Sequence, residues 1–592
     1  TMKVLPFKHL FDAQHVVPLS GEPLEIATTP DGLFLVATTA GIQVYNIPTT
    51  NTIDSEDNPN YGLIYSIPAI NREISSLAYV PSTDCIATLE KESDRSVISV
   101  ARIYYNWRSD ISKLTKPTDQ VESLTSKGLQ VETIPSASSL VCIAACPFTD
   151  KIAVATRSEI SVWATTTTLR SEDSNHVLCI PQKIFDVDLS VSPSAVFKLS
   201  LINQYLCYST LSDVHVVRVV TSILSDAETE LSQQNRSLKP ADNQTIAEDE
   251  FYFECNFDDG GMQQFQLSVP SLTPEQTGQY DSRSVAPQKF SSEIPSAIRS
   301  EFKMQSQIRA NKESGFRLES SSLVFYQTFE RNNDRTMDQE VHTAILLPEF
   351  TPVDSMLDLT TYRPASPTSQ VSVSDSIPIS RLRCVISTQH KGYIYDIDVS
   401  RDHAANPELV TTYSYSAPTI AASCSNFLYT LSETGLEIYT LRCKDFGEFG
   451  HLEGASNITS PSTVNPAMNT FPGPCLVSIQ SFIGLCRIEV VPFTDVLLLI
   501  CKEPEKKSRS RSSSVSGQSA QTQPRGGGWN LYVLTSTSVH TLYEEIITQA
   551  AGYHESNPSV YYQLVLEMHV LLRSKLGQLN AQLKSSSKRT TN

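Results

Sequence analysis

The chain is 592 residues long, 40% hydrophobic and 19% charged, with a net charge of −18. That length admits several ordinary domains or one large closed β structure, and the apolar fraction excludes a chain disordered throughout. The acidic balance excludes a general nucleic-acid binder, which needs Lys and Arg to neutralise phosphates.

No run approaches the roughly 18–20 consecutive apolar residues of a transmembrane helix. The longest candidate, Val490 to Cys501, is broken by Pro492 and Asp495. The first residues, Thr1, Met2 and Lys3, lead into no signal-peptide apolar core. Thr ahead of Met suggests an expression scar or an excised fragment. Without an export signal the twelve cysteines are expected to be reduced thiols. The Asn-x-Ser/Thr triplets at Asn235, Asn243 and Asn457 then imply no glycosylation.

In chain order, the first elements are short strands. Glu25 to Thr29 leads into Pro30-Asp31-Gly32, then Leu33 to Thr38, then Gly41 and Ile42 to Tyr45. β-branched and aromatic residues fill the strands, while Pro, Asp and Gly take the turns that need their backbone angles. The unit recurs. Ile74 to Tyr79 precedes Pro81 to Asp84 and Cys85 to Leu89. Val141 to Cys146 precedes Pro147 to Asp150, Ile152 to Thr156 and Ile160 to Trp163. A weaker copy covers Ala195 to Val220. Thr419 to Cys424 and Arg487 to Val491 open two further copies. Repeated strand units with a Pro-x-x-Asp-like turn predict a mainly β protein: a WD-repeat-like β-propeller, whose small sheets bury both faces against their neighbours. Separate β-sandwiches would also give short strands, but the units resemble one another. About seven blades are expected, within a range of roughly six to eight.

Insertions interrupt the pattern. Thr221 to Gly260 carries ten carboxylates against Arg236 and Lys239, and Gly261 to about Ser320 stays Ser-, Gln- and Pro-rich, with one candidate strand just before it at Phe251 to Phe253. Lys506 to Arg525 is Ser-rich and basic. All are expected to be mobile loops. From Thr541 the period changes to helical: Leu542, Ile546 and Ala550 share one face. Beyond Pro558, the residues Leu564, Met568, Leu572, Leu576 and Leu579 recur at spacings of three and four, and Leu583 continues the series. The propeller is therefore assigned to 1–540, a helical hairpin to 541–584 and a disordered tail to 585–592. The stripe Leu564, Met568, Leu572, Leu576, Leu579 is read as a face for a partner helix.

Catalytic signatures are missing from the sequence. It contains no Gly-x-Ser-x-Gly, no phosphate-binding Gly loop and no His-Glu-x-x-His. Cys142 and Cys146 lie four apart without a second pair, so they read as buried small residues and not as zinc ligands. Asp258-Asp259-Gly260-Gly261 reads as a plain turn, and Trp107 as a blade-edge packing residue. Neither metal nor cofactor is expected. The run around Arg509 and Arg511 makes Ser510, Ser512, Ser513 and Ser514 candidates for a basophilic kinase, or the loop a weak basic anchor for anionic lipid; a merely solvated loop is the plainer alternative.

Several segments together resemble one family, the N-terminal half of the Hermansky-Pudlak syndrome 3 protein. They are Ala101 to Arg108, Cys142 to Trp163, Leu428 to Cys443, Gln480 to Leu485, Cys501 to Glu505, and Gly528 to Tyr532 with Leu542 to Glu545. No single motif decides; their order and number do, and a stretch from about 256 to 350 diverges. The resemblance implies a propeller followed by the first helices of an α-solenoid. It implies a non-enzymatic scaffold subunit of the biogenesis of lysosome-related organelles complex 2, acting in endosomal trafficking toward melanosomes or pigment granules. Sibling subunits are the implied partners, with clathrin and Rab-family GTPases as further candidates, no nucleic acid, and only peripheral contact with endosomal membranes from the cytoplasm. The family also carries a clathrin-binding pentapeptide, and the matching region is Ile184, Phe185, Asp186, Val187 and Asp188, with Ile in place of the leading Leu. The same segment reads equally as a buried blade strand, and blades flank it. An enzyme with a propeller active site, and a coat or tethering subunit of the clathrin or vacuolar-sorting kind, are the competing classes.

Overall fold

The computed structural model describes residues mainly within 10–46, 62–108, 129–223, 308–350, 379–441, 475–502 and 528–579, with short gaps inside those ranges. They belong to one compact unit, Thr1–Ile223 with Ile294–Asn592; the second unit, Leu224–Glu293, lies outside the described residues. Within the first unit the strands form seven antiparallel sheets arranged as blades, in agreement with the expected number.

Blade 1 comprises Pro23–Thr28, Leu33–Thr38, Gly41–Asn46 and Leu63–Pro68. Blade 2 comprises Glu73–Val80, Cys85–Ser93, Ser96–Tyr105 and Gln130–Ile134. Blade 3 runs Cys142–Ala145, Lys151–Ala155, Glu159–Leu169 and Val177–Asp188, and Ile308–Ala310 adds a fifth strand. Blade 4 is Lys198–Ile202, Tyr205–Ser209, Asp213–Ile223 and Phe316–Thr328. Blade 5 is Val341–Phe350, Ile379–Thr388, Lys391–Ile397 and Glu408–Ser414. Blade 6 is Thr419–Cys424, Phe427–Ser432, Gly435–Thr440 and Cys475–Ser481. Blade 7 takes Leu485–Val490, Val496–Lys502 and Trp529–Ser536 from the end of the chain, and its outer strand, Phe11–Leu19, from the beginning. That pairing closes the ring. Lys3–Val4 adds a short parallel strand to blade 6 against Cys475 and Leu476.

The second strand of each blade is the most apolar because it is covered on both faces. Phe34, Leu35, Val36 and Ala37 are fully buried, as are Leu498, Leu499 and Ile500. Buried side chains gather into seven clusters, one between each pair of neighbouring blades, so the hydrophobic core is distributed round the ring. The turns behave as their residues require. Gly32 and Asp84 adopt positive φ of 88° and 48°, conformations that Gly and Asp tolerate best. At Gly484, with φ of 76°, a Cβ would strike the carbonyl oxygen of Lys502, whose own N–H donates to the Gly484 carbonyl at 2.8 Å.

Two expectations need correction. The stretch to about Ser320 was expected to be loop, yet Ile308–Ala310 and Phe316–Thr328 are strands. Phe316–Thr328 is an outer strand with one pairing partner, so much of it faces water and its sequence stays polar. The helix expected from Thr541 begins at Val539: α1 is Val539–Ala551, and the Ser538 side chain caps it by accepting from the Thr541 N–H at 3.1 Å. The described residues between Pro558 and Leu579 are also helical. The insert 221–260 beyond Ile223, the basic loop from Lys506 to Arg525 and the tail from Ser585 lie outside the described residues.

Candidate functional site

The innermost strands of the seven blades stand next to one another round the axis. Each carries an extra residue near its start. Register shifts skip Leu24, Ser75, His342, Ile420 and Cys486 in blades 1, 2, 5, 6 and 7. In blade 3 both Val141 and Cys142 lie opposite Ala155, and in blade 4 both Phe197 and Lys198 lie opposite Ser209. A β-bulge turns its extra side chain away from the ladder. Here the preceding residue is packed between blades, and the extra residue is half-buried at Leu24, Ser75 and His342 and exposed in the other four blades, with Val141 38%, Phe197 46% and Ile420 43% accessible. These side chains ring one mouth of the axial channel, and the ring is mostly apolar.

One residue deeper lie Glu25, Ser76, Cys142, Lys198, Thr343, Ala421 and Arg487; two further on, blade 7 contributes Glu489. Arg487 pairs with Glu25 of the adjacent blade at 2.6 Å and helps close the ring between blades 7 and 1. Glu489 is half-buried, with protein on most sides of its carboxyl. Burial, then the nearby Glu25 carboxylate, push its carboxyl up to about 8, against the opposing pull of Lys198 and Arg487. Lys198 comes from blade 4, so charges from three blades converge on the axis. Its ammonium lies 5.9 Å from the Phe197 ring centroid and makes no ion pair among the described residues. Burial raises the Cys142 thiol to about 12, which argues against a reactive thiolate there. Among the described residues no group of three His, Cys, Asp or Glu side chains is placed to hold a metal ion.

The sequence-predicted sites fall elsewhere. Ile184, Phe185, Asp186, Val187 and Asp188 end the Val177–Asp188 strand; Phe185 to Asp188 are laddered to Glu159–Leu169 on one side, with Ile184 at a bulge, and Phe185, Asp186 and Val187 are also laddered to Ile308–Ala310 on the other. Ile184, Phe185 and Val187 are at most 4% accessible, and Asp186 pairs with Lys183 at 2.6 Å. As folded, this segment offers no free apolar side chain to a groove, and Phe185, Asp186 and Val187 are paired on both edges. Ser510, Ser512, Ser513 and Ser514 lie outside the described residues. The helical stripe divides. Leu564 and Met568 are buried with Leu571 against α1 and blade 7, whereas Leu572, Leu576 and Leu579 are exposed. A helix turns every 3.6 residues, so each four-residue step overshoots by about 40° and carries the series off the buried face. Leu571, three residues after Met568, continues that face instead.

The Ala101 to Arg108 segment is an interblade clamp. Arg108 binds Asp31 of blade 1 and, at 2.9 Å, Asp84 of blade 2, and its guanidinium stacks 4.6 Å over Trp107. Trp107 is fully buried and donates to the Asp84 carbonyl at 2.8 Å. The channel residues were missed from sequence, because their only signal is a one-residue slip that needs the pairing partner to be seen.

Among the described residues, seven blades closed into a ring and followed by helices define the class: a β-propeller with a helical extension. Residues 5–260 match the family described as Hermansky-Pudlak syndrome 3 protein, N-terminal. The chain is 27% identical over 205 residues to BLOC-2 complex member HPS3 of Mus musculus, covering 33% of this chain and 19% of that protein. It is 25% identical over 277 residues to BLOC-2 complex member HPS3 of Homo sapiens, covering 44% of this chain and 26% of that protein. Residues 5–260 are thus similar to the Hermansky-Pudlak syndrome 3 protein N-terminal family, and the stretch matched to the mouse and human relatives spans about a fifth to a quarter of their length. Among solved structures, a Lactobacillus plantarum protein aligns at a TM-score of 0.34 and 6% identity, over 72% of this chain and 83% of that one. The AfRom2 CNH domain aligns at 0.33 and 8%, over 91% and 99%. Similarity at that level adds nothing to the seven sheets.

Proposed function

We propose that the chain is a non-enzymatic scaffold subunit of an assembly that builds lysosome-related organelles. The family match over residues 5–260 carries this reading, since the mouse and human relatives are titled members of the BLOC-2 complex. Sibling subunits of that complex are the partners, met in the cytoplasm at endosomes or their tubular carriers. The propeller is the rigid platform. Val539–Ala551 and the helical residues after Pro558 begin an α-solenoid, and the exposed Leu572, Leu576 and Leu579 supply the surface on which the next helices pack. Clathrin and Rab-family GTPases are further partners to test, on exposed surfaces and not on the Ile184 to Asp188 strand.

A coat or tethering subunit is the second reading, favoured by helices that follow directly on the last blade. Affinity capture of the tagged full-length protein from native extract separates the two. Stoichiometric recovery of complex-2 siblings is expected; recovery of a clathrin or vacuolar-sorting set without them would overturn the proposal.

A further inference from the structure

The channel mouth has no part in the family reading, yet it is built in a consistent way. Each of the seven blades spends an extra residue there, and three of those residues, Val141, Phe197 and Ile420, hold exposed apolar surface round one opening. Single exposed apolar residues are ordinary; a ring of them at a concave mouth is an association surface. Just below, the charges are unequal in their pairing. Arg487 is neutralised by Glu25 at 2.6 Å, while Lys198, which acts on the Glu489 carboxyl without touching it, has no ion pair among the described residues and sits over the Phe197 face. A cation held beside an aromatic ring in a protein-walled opening attracts an anionic group more strongly than it would on an open surface.

We infer that this mouth docks an extended segment of a partner protein in which an Asp or Glu side chain stands next to a large apolar one. The apolar side chain enters the ring of Val141, Phe197 and Ile420, and the carboxylate meets the Lys198 ammonium. The apolar contact provides affinity, and the charge pair fixes register and excludes basic segments.

The test is a peptide library, amidated at the C-terminus so that only side-chain carboxylates count. Fixed positions place Asp, Asn or Lys beside Leu, Ile or Phe, and the library is screened against the full 592-residue chain. Retention of Asp-containing peptides over their Asn counterparts by about tenfold is expected. Lys198→Glu should lose them and retain the Lys-containing peptides instead, and Phe197→Ala should weaken binding at unchanged charge preference. Both residues are exposed, so the melting temperature should stay at the wild-type value and report that the variants fold. Vesicles of phosphatidylserine serve as the competing anionic surface. Equal retention of Asp and Asn peptides, a charge preference that Lys198→Glu leaves unaltered, no retained peptide at all, or Lys198-dependent binding to the vesicles in place of peptides would each overturn the inference.

Discussion

His215 shows how one buried residue sets a limit on the fold. It is stacked on Tyr208 at 4.6 Å and tilted against Tyr326 at 4.8 Å, and burial holds its imidazole down at about 4. The folded state therefore keeps His215 neutral while the unfolded chain protonates it near 6.5. Stability from this site is complete above the unfolded value and is lost as pH falls from about 6.5 toward 4. We expect His215→Gln to remove about one proton from the acid limb of the stability–pH curve between those values; an unaltered limb would contradict the burial. Glu489 has the opposite sign. Its carboxyl titrates higher in the folded protein, at about 8, so the contribution is present at low pH and is lost as pH rises from about 4.5 to 8. Glu489→Gln should leave the melting temperature near wild type at pH 5 and raise it at pH 8.5; a constant difference at both pH values would contradict this. One further residue pattern repeats between two blades. Tyr45 donates to Gln43 at 2.8 Å, and Tyr439 to Glu437 at 2.5 Å, each within a Gly-apolar-Gln/Glu-apolar-Tyr strand. The repeat was visible as strands, but its hydrogen bond was not, because only the fold shows that both side chains face a buried interface.

At the scale of the element, the Val177–Asp188 strand decides between two uses of one pentapeptide. Phe185 and Val187 are packed between blades 3 and 4. The double substitution Phe185→Ala, Val187→Ala should cost about 3 kcal/mol or more, measured by denaturant unfolding, because large-to-small changes leave cavities in a packed core. Unchanged stability with lost binding to the clathrin terminal domain would make the segment an exposed peptide instead. Middle strands were legible from sequence because burial on both faces makes them continuously apolar. Phe11–Leu19 was not: Pro18 interrupts it, it faces water on one edge, and its partner lies more than five hundred residues away in sequence. The outer strand Phe316–Thr328 was hidden by the same edge position. The channel was hidden by its bulges, since a bulge breaks the two-residue alternation on which a strand is read.

The molecule as a whole is a ring whose core lies between blades, so its integrity depends on closure. The strand Phe11–Leu19 pairs the start of the chain with Trp529–Ser536, and Leu10 accepts from the Thr537 N–H at 2.9 Å just before α1. Removing residues 1–19 should expose the outer edge of blade 7 and lower the melting temperature by several degrees. The same blade carries the helices, so platform and spine share one cluster of buried residues, among them Leu499, Leu542, Ile546, Leu564 and Met568. What extends beyond that cluster is the exposed part of the second helix, with Leu572 36%, Leu576 63% and Leu579 44% accessible. If the chain is a scaffold subunit joined to its assembly through this surface, charge placed there should break assembly without unfolding the propeller. The direct measurement is co-purification of sibling subunits with the full-length protein carrying Leu572→Glu and Leu576→Glu. Loss of the siblings at an unchanged propeller melting temperature is the expected result; recovery at the wild-type level would show that the helices are not the connection.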